Sequence, residues 1–127
     1  MILPNLKIII DQQCIIVCFG TTFKLRGEVS ANPVNDFQTW WIARALITPA
    51  SERGKGYGSE LLQKLISTIK QNPKLDCKFL LVTPGGYEEN TKQQFNFYKK
   101  NGFVMPMNDE IPEIRNEERK YALVYRI

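Results

Sequence analysis

Residues able to do chemistry are unevenly spread along this chain. Among 127 residues there is no histidine, which removes every Ser-His and Cys-His nucleophile pair and every imidazole-ligated metal. Of the three cysteines, Cys14 and Cys18 sit four apart with apolar neighbours, and Cys77 precedes another apolar run. Their odd number argues against a disulfide frame, and the expectation is buried thiols without a metal. What remains is a basic glycine turn, Arg53-Gly54-Lys55-Gly56-Tyr57-Gly58, set between an expected strand and an expected helix. At such a junction the first helical N–H groups lack partners and the macrodipole adds partial positive charge, so an anion is favoured. The glycines let the backbone approach closely, and Arg53 and Lys55 add full charges. The inference is phosphate binding, with a plain tight turn as the alternative. The spacing is neither that of a P-loop nor Gly-x-Gly-x-x-Gly, so both of those nucleotide motifs fail.

The elements that would position this turn are legible from periodicity. Lys7 to Ile10, Cys14 to Phe19 and Phe23 to Val29 are short β-branched and aromatic stretches broken by polar or Gly-Thr-Thr punctuation, a strand meander. Residues 30–36 read as a loop. Gln38 to Thr48 is a longer strand, dense enough in Trp40, Trp41, Ile42, Leu46 and Ile47 to be covered on both faces. After the glycines, Leu61, Leu62, Leu65, Ile66 and Ile69 form one stripe of a 3.6-period helix that Asn72-Pro73 ends. Cys77 to Thr83 is the next buried strand. A second helix starts near Asn90 or Thr91, either able to cap it, and stops at Asn101-Gly102. Tyr121 to Ile127 is a final strand. Helices placed between strands specify an α/β (α+β) domain with a mixed sheet. At this length one domain with its own core is expected, and no apolar run approaches the roughly 20 residues of a membrane-spanning helix.

With these motifs in place, the chain resembles the GNAT superfamily of acetyl-CoA-dependent N-acyltransferases. Arg53, Gly56 and Gly58 meet its Gln/Arg-x-x-Gly-x-Gly/Ala signature, Leu46-Ile47-Thr48-Pro49 is similar to its strand end, and Phe97-Tyr98-Lys99-Lys100-Asn101-Gly102-Phe103 is similar to its second motif. The likeness covers roughly residues 38–103. One extra residue separates Pro49 from Arg53, and the N-terminal third lacks the helix pair that family members place between their first two strands. The resemblance implies a mixed, mostly antiparallel sheet splayed at a central parallel strand pair, with helices packed on its faces. It divides the chain into divergent strands (1–36), a cofactor-binding core (37–103) and an acidic loop with a final strand (104–127). It further implies that backbone groups of Leu46, Ile47 and Thr48 pair with the pantetheine arm of acetyl-CoA, and that the N–H groups of Arg53, Gly54, Lys55, Gly56, Tyr57, Gly58 and Ser59 hold the pyrophosphate. Asn90 or Thr91 would touch the cofactor from the second helix, and Tyr98 would be the general acid to the departing thiolate.

The expected activity is acetyl transfer to a primary amine by direct attack, with an acyl-CoA-binding sensor as the alternative. Tyr98 is also readable as a core aromatic, and ring burial is compatible with a catalytic hydroxyl. No base stands out: Gln38 to Thr48 has no carboxylate, and Glu28 and Asp36 are the nearest upstream candidates beside a water chain. Asp109, Glu110, Glu113, Glu117 and Glu118 surround a single Arg115; the segment reads as a solvated loop that could also draw a cationic amine. The net charge of +4 suits an anionic cofactor without specifying nucleic acid. A cytoplasmic protein is expected, acting on a small amine or lysine-bearing peptide as monomer or homodimer, with neither nucleic acid nor membrane as partner and no metal.

Overall fold

The computed structural model describes residues 3, 5–11, 13–21, 24–34, 38–47, 56–84, 88–107, 110–111 and 122–127. In chain order the elements are β1 (Lys7–Ile10), β2 (Ile15–Thr21), β3 (Lys24–Val34), β4 (Thr39–Ile47), α1 (Tyr57–Lys70), β5 (Phe79–Val82), α2 (Glu88–Lys100) and β6 (Leu123–Arg126). The six strands form one sheet in sequence order. Every neighbouring pair is antiparallel except β4 and β5, which run parallel. A parallel pair needs a crossover, and α1 supplies it.

Alternation decides the faces. Ile15, Val17 and Phe19 of β2, Val29 and Ala31 of β3, and Trp40 and Ile42 of β4 are all buried on the side where α1 lies. Against them α1 sets Leu61, Leu62, Leu65, Ile66 and Ile69, each no more than 2% exposed. Burial of such side chains is worth about 1.5 to 3 kcal/mol apiece, and no side chain caps this helix, so packing holds α1 in place. The last turn of α2 lies against the first turn of α1 on this same face. The opposite face carries a smaller cluster of Leu81, Ile111, Ala122 and Val124.

Helix α2 ends in a Schellman turn. The Phe103 N–H donates to Tyr98 O at 3.0 Å and the Gly102 N–H to Lys99 O at 3.1 Å, with Gly102 at φ 97°. The accompanying apolar contact is the Tyr98–Phe103 ring pair, 5.3 Å between centroids. Asn101-Gly102 is thus the stop that the sequence indicates.

Three expectations need correction. Strand β3 does not end at Val29 but runs to Val34. Beyond Ala31 it pairs, among the described residues, with β4 alone, and at such an edge the missing N–H of Pro33 is tolerated. Helix α2 begins at Glu88, which makes Asn90 and Thr91 its third and fourth residues rather than its cap. Strand β4 is not covered on both faces: Trp40 is 3% exposed and Trp41 is 43% exposed. The meander of β1 to β3 matches expectation, with four residues between β1 and β2.

Candidate functional site

The parallel pair is short. Thr39, Trp40 and Trp41 register with Phe79, Leu80 and Leu81, after which β4 continues to Ile47 while β5 ends at Val82. Among the described residues no strand pairs with this edge of β4 past Trp41. Just above that point the β3–β4 register slips, Ser30 opposing Arg44 but Ala31 opposing Ile42. Ala43 is therefore the extra residue of a bulge, which bends the strand. The outcome is an edge of backbone groups open to an extended ligand. Leu46 and Ile47 contribute their backbone to it; Thr48 lies outside the described residues.

The other end of the pair is tied shut. Gln38 O accepts from the N–H groups of Lys78 and Phe79 at 2.8 and 3.3 Å, and Gln38 Nε2 donates to Asp76 Oδ2. Both residues are left-handed, at φ 64° and 54°, a conformation uncommon outside glycine. This clamp sets where β4 and β5 meet, and so where they part.

At the start of α1, Gly56 is left-handed with φ 88° and ψ 0°. The first ladder bond runs from the Glu60 N–H to Gly56 O at 3.1 Å, so the N–H groups of Tyr57, Gly58 and Ser59 precede the ladder. With no side-chain cap they fit a phosphate group. Arg53, Gly54 and Lys55 lie outside the described residues.

A second helix steadies this turn. A Cβ on Gly58 would stand 3.3 Å from the Phe97 ring of α2, so glycine here permits two helices to touch. Asn101, 8% exposed, donates from Nδ2 to Phe97 O at 2.9 Å and to Ser59 Oγ at 3.2 Å. Its Oδ1 accepts from Gln63 Nε2 at 3.1 Å. On the other flank Tyr57 packs on Phe19 at 5.3 Å, with the Arg26 guanidinium 5.9 Å from the Tyr57 ring centroid.

Tyr98 is 5% exposed, its ring set edgewise on Phe97 at 5.1 Å. Desolvation pushes its phenol up to about 12. It therefore holds its proton throughout the neutral range, as an acid must and a base must not.

The structure brings together Gly56, Tyr57, Gly58 and Ser59 at the turn, and runs Leu46 and Ile47 along the open edge. The backbone of Asn90 and Thr91 lies in the first turn of α2. Glu28, half-buried, registers with Leu46 along the paired edge of β4, one strand away from the open edge; Asp36, Asp109, Glu113, Glu117 and Glu118 lie outside the described residues. Glu110 Oε2 accepts from Arg126 at 2.8 Å. The cysteines are free but half-buried instead of fully buried. Cys77 bonds Phe79 O, and desolvation raises its thiol to about 12, which makes it unreactive at neutral pH.

Sequence reasoning missed Asn101 as the tie between helices, because Asn before Gly reads first as a stop signal. The Gln38–Asp76 clamp was also unread, since it joins residues 38 apart in the chain.

A family model described as an acetyltransferase (GNAT) domain matches residues 11–105. Solved structures agree in fold. The protein is similar to Tetrahymena GCN5 at 17% identity and TM-score 0.63, over 92% of this chain and 70% of that one. It is also similar to a GNAT family acetyltransferase from Elizabethkingia anophelis with acetyl-CoA bound, at 19% identity and TM-score 0.64, over 91% and 77%. A Bacillus subtilis acetyltransferase in complex with CoA gives 17% and 0.63, over 91% and 78%. No curated protein matches.

Proposed function

The chain belongs to the GNAT acetyltransferase family, and from that premise we propose that it transfers an acetyl group from acetyl-CoA to a primary amine by direct attack in a ternary complex. The observation that carries this reading is the parting of β4 from β5 after the Trp41–Leu81 pair, next to a helix start that no side chain caps. Coenzyme A supplies the activated thioester. This chain's residues hold and aim it: the backbone of β4 from residue 42 to Ile47 as an added-strand template, and the N–H groups of Gly56, Tyr57, Gly58 and Ser59 as the pyrophosphate cradle. Arg53, Gly54 and Lys55 extend the cradle in this reading, Thr48 extends the strand template, and Asn90 or Thr91 approaches from α2. In this reading an N–H near Ile47 donates to the carbonyl oxygen as charge develops there.

Tyr98 is assigned the general acid. Proton donation by a positioned group contributes roughly 100-fold or more, so Tyr98→Phe should cut thiol release from acetyl-CoA by about that factor while the Kd for coenzyme A stays within about twofold. The base is assigned to Glu28 or to water reaching bulk solvent along the open edge. Holding amine and thioester together removes much of the remaining entropic barrier.

The deep burial of Tyr98 favours one second reading, a module that binds acyl-CoA and signals to a partner without turnover. Thiol release measured across amines, aminoglycosides, polyamines and lysine peptides separates the two. Silence across that panel combined with tight coenzyme A binding selects the sensor.

A further inference from the structure

We infer that Trp41 is the acceptor platform of this enzyme, selecting amines whose carrier bears a second positive charge. The inference rests on the acetyltransferase reading above and deepens it.

Strand β4 presents two consecutive tryptophans to opposite faces. Trp40 faces α1 and is 3% exposed; Trp41 faces away and is 43% exposed. Trp41 is also the last β4 residue paired with β5, so its indole rises from the vertex of the opening. Helix α1 and its open N-terminus occupy the other face. A cofactor anchored there brings its thioester to the vertex from the α1 side, and a nucleophile is left the face on which Trp41 stands.

The surroundings on that face indicate the chemistry. Asn32, exposed, lies opposite Trp41 across β3. Leu81 lies beside it on β5, covered by Ile111. The carboxylates of Glu28 and Glu110 are on the same face, the latter beside Arg126. An indole ring draws a cation to its π face, at about twofold to thirtyfold in affinity. Among the described residues the cation–ring contacts fall on Phe19, Tyr57, Tyr125 and Phe95 rather than on this indole. The cation on Trp41 is not the reacting amine, which must be neutral to attack. It is a second ammonium on the same molecule, held while the first reaches the thioester.

Cadaverine and n-pentylamine differ only in that second ammonium. With the wild-type enzyme and saturating acetyl-CoA, kcat/KM for thiol release should be about tenfold higher for cadaverine. Trp41→Ala should reduce the ratio to about two, the statistical factor for two equivalent amines, with the KM for acetyl-CoA unchanged. Trp41→Phe keeps an aromatic face and should retain most of the preference, which guards against a folding defect. In NMR spectra of the coenzyme A complex, the indole N–H resonance absent from Trp41→Phe should shift when cadaverine is added. A wild-type enzyme that treats the two amines alike or turns over neither, a Trp41→Ala variant that keeps the preference, or an unmoved indole resonance overturns the inference. Turnover of other amines with coenzyme A bound at β4 would leave the acetyltransferase reading standing in each case.

Discussion

The two ends of the β4–β5 pair are built in opposite ways. At the closed end two left-handed residues, Gln38 and Asp76, share a side-chain hydrogen bond while Gln38 O takes two backbone donors. At the open end β4 runs on from Ile42 to Ile47 with a bulge at its start and no described strand against its edge. Unpaired buried backbone costs free energy comparable to a lost hydrogen bond, so such an edge is retained where a ligand or water completes it. The proposed site is the place where pairing stops, and the closed end fixes that position. Helix α2 then steadies the open end through Phe97 against Gly58 and Asn101 against Ser59.

Perturbing the open end should have the larger consequences. The greatest is alkaline. Because the Tyr98 phenol is raised from 10 to about 12 in the folded chain, its burial contribution is fully present below pH 10. The unfolded chain releases this proton first, so stability falls as pH rises from 10 to 12, by roughly 3 kcal/mol for a two-unit shift. Chemical unfolding of wild type and Tyr98→Phe across that window checks it: wild type should lose about 3 kcal/mol more than the variant, and parallel curves would refute the assignment.

Next in size is Asn101→Ala, which strips partners from Ser59, Gln63 and Phe97 at a buried position. A loss of about 2 kcal/mol in urea unfolding is expected, together with weaker coenzyme A binding as α1's first turn loosens. Gly56→Ala should cost about 1 kcal/mol, because φ 88° is unfavourable with a Cβ, and calorimetric titration should show reduced affinity for coenzyme A. Smallest is Gln38→Ala at the closed end. The hydrogen bond it deletes is exposed, worth about 0.5 to 1 kcal/mol, and removing it should raise the KM for acetyl-CoA about twofold without altering kcat. An effect there larger than that of Asn101→Ala would invert the proposed roles of the two ends.

Much of this was legible in the sequence, for identifiable reasons. The stripe from Leu61 to Ile69 admits only one buried helix face, and Gly56 ahead of it marks the turn. Asn101-Gly102-Phe103 encoded the Schellman ending, since Gly102 at φ 97° has few substitutes. Strand β3 past Val29 was not legible: Asn32-Pro33 has loop composition, and its strand state depends on β4 alone pairing there. Trp41 looked like core because hydrophobicity alone does not reveal which face of a strand is left bare. The Gln38–Asp76 tie has no local signature.

The most direct measurement is backbone amide NMR of the protein titrated with coenzyme A. Binding in the opening predicts the largest shifts at residues 42–47 and at Gly56, Tyr57, Gly58 and Ser59, with Asp76 to Phe79 at the closed end nearly still. Saturable binding that leaves the amides of β4 and the start of α1 unmoved would contradict the account.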